Sequence, residues 1–205
     1  DATFTGTTGT YTGGIVGGGN DLTLNFSGLT VVSGGTFSGV KNFATGNGGT
    51  TQLSGTITTT GTQTYNDDVV LSGDTVAAAG VNLVRFAGTL DGAAAGAQSL
   101  TVNGAGGAQF DGVVGGTSLS SVAVTGPTAL NTTAVTTSGT QTYSGATTLG
   151  ADVNLTGTTV TLNGVTGAGN DLTVTGAAVF GTADATGLGA VQVTGTTTVN
   201  VANIS

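Results

Sequence analysis

Thr60-Gly61-Thr62-Gln63-Thr64-Tyr65 recurs as Ser138-Gly139-Thr140-Gln141-Thr142-Tyr143, 78 positions further on. The same shift carries Leu71 onto Leu149 and Asp74 onto Asp152. It also carries a second marker, Asn20-Asp21-Leu22-Thr23-Leu24, onto Gln98-Ser99-Leu100-Thr101-Val102. That marker returns again, after a slightly shorter interval, as Asn170-Asp171-Leu172-Thr173-Val174. Val122-Ala123-Val124-Thr125-Gly126 matches Val191-Gln192-Val193-Thr194-Gly195, and a Gly-Gly pair precedes Phe-x-Gly-Val at Phe37 to Val40 and at Phe110 to Val113. Self-similarity at long period marks an architecture of stacked units. The chain therefore reads as one repetitive unit over residues 1–205, with long repeats near 20–97 and 98–169 and a partial one over 170–205.

Inside each long repeat lies a finer grain. Leu22-Thr23-Leu24, Val160-Thr161-Leu162, Leu172-Thr173-Val174, Val191-Gln192-Val193 and Val199-Asn200-Val201 alternate apolar and polar residues. That is the strand period, with one face turned inward and the other outward. Such stretches recur roughly every 8–11 residues, so two or three of them make a coil of roughly 20 residues. The expected fold is all-β, a parallel β-solenoid of about ten coils, with each long repeat spanning about four of them. A β-sandwich shares the strand spacing. It favours larger inward residues than the Val, Leu, Ala and Thr seen here, because its core is about 10 Å thick.

Composition supports strands. Thr and Val are stiff at χ1 and suit a pleated sheet. Gly, present 40 times, weakens helices by about 1 kcal/mol per interior position. The runs Ala77-Ala78-Ala79 and Ala93-Ala94-Ala95 are each closed early by glycine. Hydrophobic residues make up 37% of the chain and charged residues 6%, which opposes disorder. A collagen pattern fails because glycine has no period of three and there is one proline.

Ten acidic residues, all Asp, face only Lys41 and Arg85, for a net charge of −8. Two cations cannot build the basic stripe that nucleic acid needs. No apolar run approaches the roughly 20 residues of a membrane helix, so neither nucleic-acid binding nor membrane insertion is expected. Nucleophilic catalysis lacks a base, since His, Cys and Glu are absent. Asp67-Asp68 is the one adjacent acid pair, and strand alternation turns its members to opposite sides. The chain is not expected to be an enzyme, and no cofactor is expected. Calcium is the one alternative, raised by Gly167-Ala168-Gly169-Asn170-Asp171 and Gly17-Gly18-Gly19-Asn20-Asp21. A turn closed by Asn and Asp side chains explains the same residues.

The stretch from Thr137 through Gln141, Thr142 and Tyr143 to Leu149 resembles the repeat regions of large exported bacterial adhesins of the filamentous-haemagglutinin-like and autotransporter type. The continuation from Asp152 to Val160 and the copy from Thr60 share the likeness. The resemblance implies a right-handed β-helix, secreted or held at the bacterial cell surface, acting as a stalk or fibre in adhesion or biofilm. The expected partners are flanking repeats of the same protein or further copies joined head to tail, and host or surface glycans. Neither end shows a capping element, and the first residue is Asp1. The chain thus reads as a segment of a longer rod or as a subunit that polymerises into filaments. Phe4, Tyr11, Val199, Val201 and Ile204 are the residues expected near such joints. Two alternatives remain open. One is a receptor- or glycan-binding segment, with the interval from Leu90 to Ala97 as its loop. The other is an ice-binding threonine ladder, suggested by Thr62-Gln63-Thr64 and Thr140-Gln141-Thr142.

Overall fold

A computed structural model describes residues 1–33 and 37–205. The Gly34-Gly35 pair ahead of Phe37 lies outside the described residues. Every strand pairing among the described residues is parallel, and no helix forms there. The fold is a β-solenoid of about ten turns. Even the run Ala77-Ala78-Ala79 lies in the strand Asp68–Gly80.

Each coil has three sides. On the first side, register partners run Ala2, Leu22, Phe43, Gln63, Val84 and onward to Ala185. The step between coils is not constant. On this side it is shortest from Thr147 to Val165 and longest from Val84 to Ala108. Ten coils at about 4.8 Å per strand give a rod on the order of 50 Å long. The second side carries Val69, Leu90, Val114, Val135, Leu155 and Val174 in one column. The third carries Leu100, Val122, Gln141, Val160 and Ala178.

The second and third sides merge in places because long strands run through the corner between them. Asp68–Gly80 does so with a register shift between Leu71 and Thr75, and Val153–Leu162 with one between Thr156 and Thr159. Glycine makes this corner tight. Gly176 sits at φ 135°, and a Cβ there would run into the carbonyl oxygen of Gly157. Gly195 follows on the next coil, its N–H donating to the Gly176 carbonyl at 3.0 Å.

Strand alternation gives each side an inner and an outer row, and the inner rows fuse into one narrow core. Aromatic rings fill it through the first half. Phe37, Phe43, Tyr65, Phe86 and Phe110 follow one another at centroid separations of 5.1, 5.8, 4.9 and 5.5 Å. Leu130 and Leu149 continue the Phe110 column. Aromatic pairs contribute about 0.5–1.5 kcal/mol each beyond the area they bury.

The long repeats come close to the expected four coils but do not span a whole number of them. From Gln63 on the first side the column advances through Val84, Ala108 and Thr128, while Gln141 lies on the third side. The interval is thus three coils and two further sides. The Leu22, Leu100 and Leu172 markers fall on the first, third and second sides respectively. The chain repeats itself along its length without repeating along the axis, because each copy needs only a corner followed by a strand.

Candidate functional site

The best-organised polar groups sit at corners. Gln63 and Gln141 are fully buried. Gln63 Nε2 donates to the carbonyl of Ile57 at 2.9 Å and of Ala78 at 3.2 Å, and to Thr59 Oγ1 at 3.3 Å. Gln141 Nε2 donates to the carbonyls of Val135 at 2.9 Å and Thr156 at 2.8 Å, and to Thr137 Oγ1 at 3.4 Å. In each copy the tyrosine two positions on donates its hydroxyl to the glutamine Oε1, at 2.9 Å from Tyr65 and 3.0 Å from Tyr143. The threonine that faces the amide donates to a glycine carbonyl, Thr59 to Gly61 and Thr137 to Gly139. Two copies on different corners therefore build the same clamp. Burial pushes both tyrosine hydroxyls well above the usual phenol range. These are structural groups, with their polar atoms turned into the wall of the rod.

All ten Asp side chains accept hydrogen bonds, and most join neighbouring coils. Asp21 accepts from the Asn42 N–H at 3.2 Å, Asp68 from Thr89 at 2.8 Å and Asp91 from Thr117 at 2.8 Å. Asp152 accepts from the Asp171 N–H at 2.8 Å, and Asp171 from Ala190 at 2.6 Å. Asp74 takes both the N–H and the hydroxyl of Ser99, at 2.9 Å each. These bonds hold its carboxyl below the usual carboxylate range. Asp111 is pushed upward by partial burial. Hydrogen bonds from Gln109, Asn131 and Arg85, with the guanidinium charge, outweigh that and leave it low. Arg85 Nη2 lies 2.7 Å from its carboxylate.

Asp67 and Asp68 point to opposite sides, as alternation requires. Asp67 is 2% exposed and accepts from the Gly48 N–H and Thr51 hydroxyl, while Asp68 faces solvent. The two Asn-Asp segments form matching turns. Asn20 donates from its backbone and side chain to the Gly17 carbonyl, and Asn170 does the same to Gly167. Among the described residues, no three acidic side chains gather into a metal-ligating group.

The five residues expected near joints lie at the two ends of the rod. Phe4 is 48% exposed and sits 6.0 Å, ring to ring, from half-buried Tyr11 at the N-terminal end. At the other end Val199 is 51% exposed and Ile204 36%, with Val201 half-buried. Ile204 bridges Ala185 and begins the next rung. A recess of about 340 Å³ opens at the N-terminal end between Phe4, Ile15, Val16 and Val40. The interval from Leu90 to Ala97 starts as the strand Leu90–Gly92 and continues as an exposed alanine loop. It folds back along the axis, with the Gly96 N–H on the Ser118 carbonyl at 2.7 Å.

The threonine arrays are sorted by side. Thr62 and Thr64 belong to the first side. Thr140 and Thr142 belong to the third, where Thr159 and Thr161 lie directly opposite them on the next coil. Sequence spacing alone could not reveal this, because coil length varies along the rod. Comparison with family models, with curated proteins and with solved structures finds no match to this chain.

Proposed function

We propose that the chain is a stalk or fibre segment of an exported bacterial surface protein, serving adhesion or biofilm by spanning distance stiffly. One observation carries the reading: an uninterrupted parallel ladder around one continuous apolar core, from the pairing of Ala2 with Leu22 to the bridge between Ala185 and Ile204. In this reading Phe4 and Tyr11 at one end and Val199, Val201 and Ile204 at the other meet further coils. Those come from flanking repeats or from another copy stacked head to tail, a heterologous contact that propagates as a filament. The polar groups support the same role. The carboxylates join neighbouring coils, and the buried glutamines brace corners.

Negative-stain electron microscopy of the purified chain across a concentration series tests this. Stiff rods of about 50 Å, or thin unbranched filaments built from them, are the expected result. Globular or collapsed particles would overturn it. Filaments identify copies as the covering partner, and uniform short rods identify flanking repeats.

A further inference from the structure

We propose that the third side of the rod binds ice. This proposal is independent of the stalk reading, since it concerns the flank of the rod and not its ends.

Two adjacent outward columns of this side, from Ser99 to Thr198, are built only from Thr, Ser, Val and Ala, with Asn103 outside them at the end of the first strand. Thr140 and Thr142 pair with Thr159 and Thr161 on the next coil. Thr101 lies two coils before Thr142 in the same column, and Thr198 two coils after Thr161. The intervening rows hold Ser121 with Ala123 and Ala177 with Val179, so no large or charged side chain interrupts the plane. Ser99, at the edge, donates its hydroxyl to Asp74. The hydroxyls of Thr101, Thr140, Thr142, Thr159, Thr161 and Thr198 make no hydrogen bond to protein among the described residues and are turned to water. By contrast, Arg85, Asp91, Asp111, Asp152 and Asp171 are carried by the first two sides and their corners.

The geometry selects the occupant. The columns stand about 6.7 Å apart across the strands and repeat every 4.8 Å or so along the rod. Those two periods lie close to the oxygen repeats on a prism face of hexagonal ice. Charged groups impose oriented hydration that conflicts with a crystalline lattice, and the two columns hold none; Asp74, at their edge, is tied to Ser99. Threonine methyls cage water while the hydroxyls anchor it, and the parallel ladder keeps the array from flexing. A protein partner fits less well. Six coils and two columns offer on the order of 300 Å², short of the roughly 800 Å² per partner of a stable interface. The aromatic and arginine anchors of a protein hot spot are also missing.

The test is thermal hysteresis and ice-crystal habit with the purified chain. Thr142→Lys and Thr161→Lys alter the proposed face, and Thr148→Lys, outward on the first side, is the control of equal charge. Circular dichroism confirms that each is folded. The expected result is a freezing gap and faceted crystals for the unmodified chain and for Thr148→Lys, abolished in the other two. Round, freely growing discs with the unmodified chain would overturn the proposal. So would a gap that survives both third-side substitutions, or one that Thr148→Lys removes equally.

Discussion

Gln63 shows how much one buried amide can organise. It satisfies backbone carbonyls on two coils and holds the Tyr65 hydroxyl inside the wall. Gln63→Leu removes those donors and leaves the tyrosine hydroxyl buried without an acceptor. The expected cost is about 3 kcal/mol, from a buried-group penalty of about 1–3 kcal/mol for each orphaned partner. Gln141→Leu should cost a similar amount, and the double variant the sum, because the clamps share no partner. Chemical denaturation of the two single variants and the double one checks this. The recurrence of Gln and Tyr two positions apart is visible in the sequence, and so is a corner or stacking role for the tyrosines. The glutamine's role is not. One of its acceptors, Ile57, lies behind it in the chain and another, Ala78, well ahead. That pairing exists only once the coil has closed.

At the scale of the element, the Asn-Asp turns illustrate a local rule with a local exception. Gly18 and Gly19 take φ of 58° and 84° in the first copy. In the second, Ala168 and Gly169 take 52° and 90°. A left-handed alanine costs about 1–2 kcal/mol, offset by the roughly 0.5–1 kcal/mol that glycine loses in chain entropy on folding. Ala168→Gly should therefore stabilise the rod by about 0.5–1 kcal/mol. Gly18→Ala should destabilise by a like amount, both read from shifts in the denaturation midpoint. Strand identity is legible at this scale. The alternating triplets at Leu22, Val160, Leu172 and Val191 form strands, because alternation is a property of neighbours, while of Val199-Asn200-Val201 only Val199 lies in one, Thr197–Val199. Which side each strand occupies is not legible. Coils as unequal as those from Thr147 to Val165 and from Val84 to Ala108 accumulate phase. Gln63 and Gln141, alike in sequence, therefore end on different sides, while Thr140 and Thr159 meet.

For the whole molecule, stability is tied to carboxylates that bridge coils. Asp74 and Asp111 both have pKa values held below normal by their hydrogen-bond donors. A depressed carboxylate stabilises the fold above its unfolded value, about 3.9. That contribution is lost as pH falls through the folded value. The melting temperature should thus hold steady down to about pH 4 and then fall. Replacing Asp74 and Asp111 together with Asn should flatten that acid limb. Thermal melts from neutral pH down through the carboxylate range would check it, and an unchanged limb would show that these two carboxyls do not govern acid unfolding.

The Gln-Tyr clamp is the same at a corner leading to the first side and at one leading to the third. Such a piece is interchangeable among positions in the way a brick is among courses. A gene encoding it can be duplicated, trimmed or slipped by the length of a single side and still specify a continuous wall. Copying errors need not respect the coil, and rods of many lengths lie within one mutational step of each other.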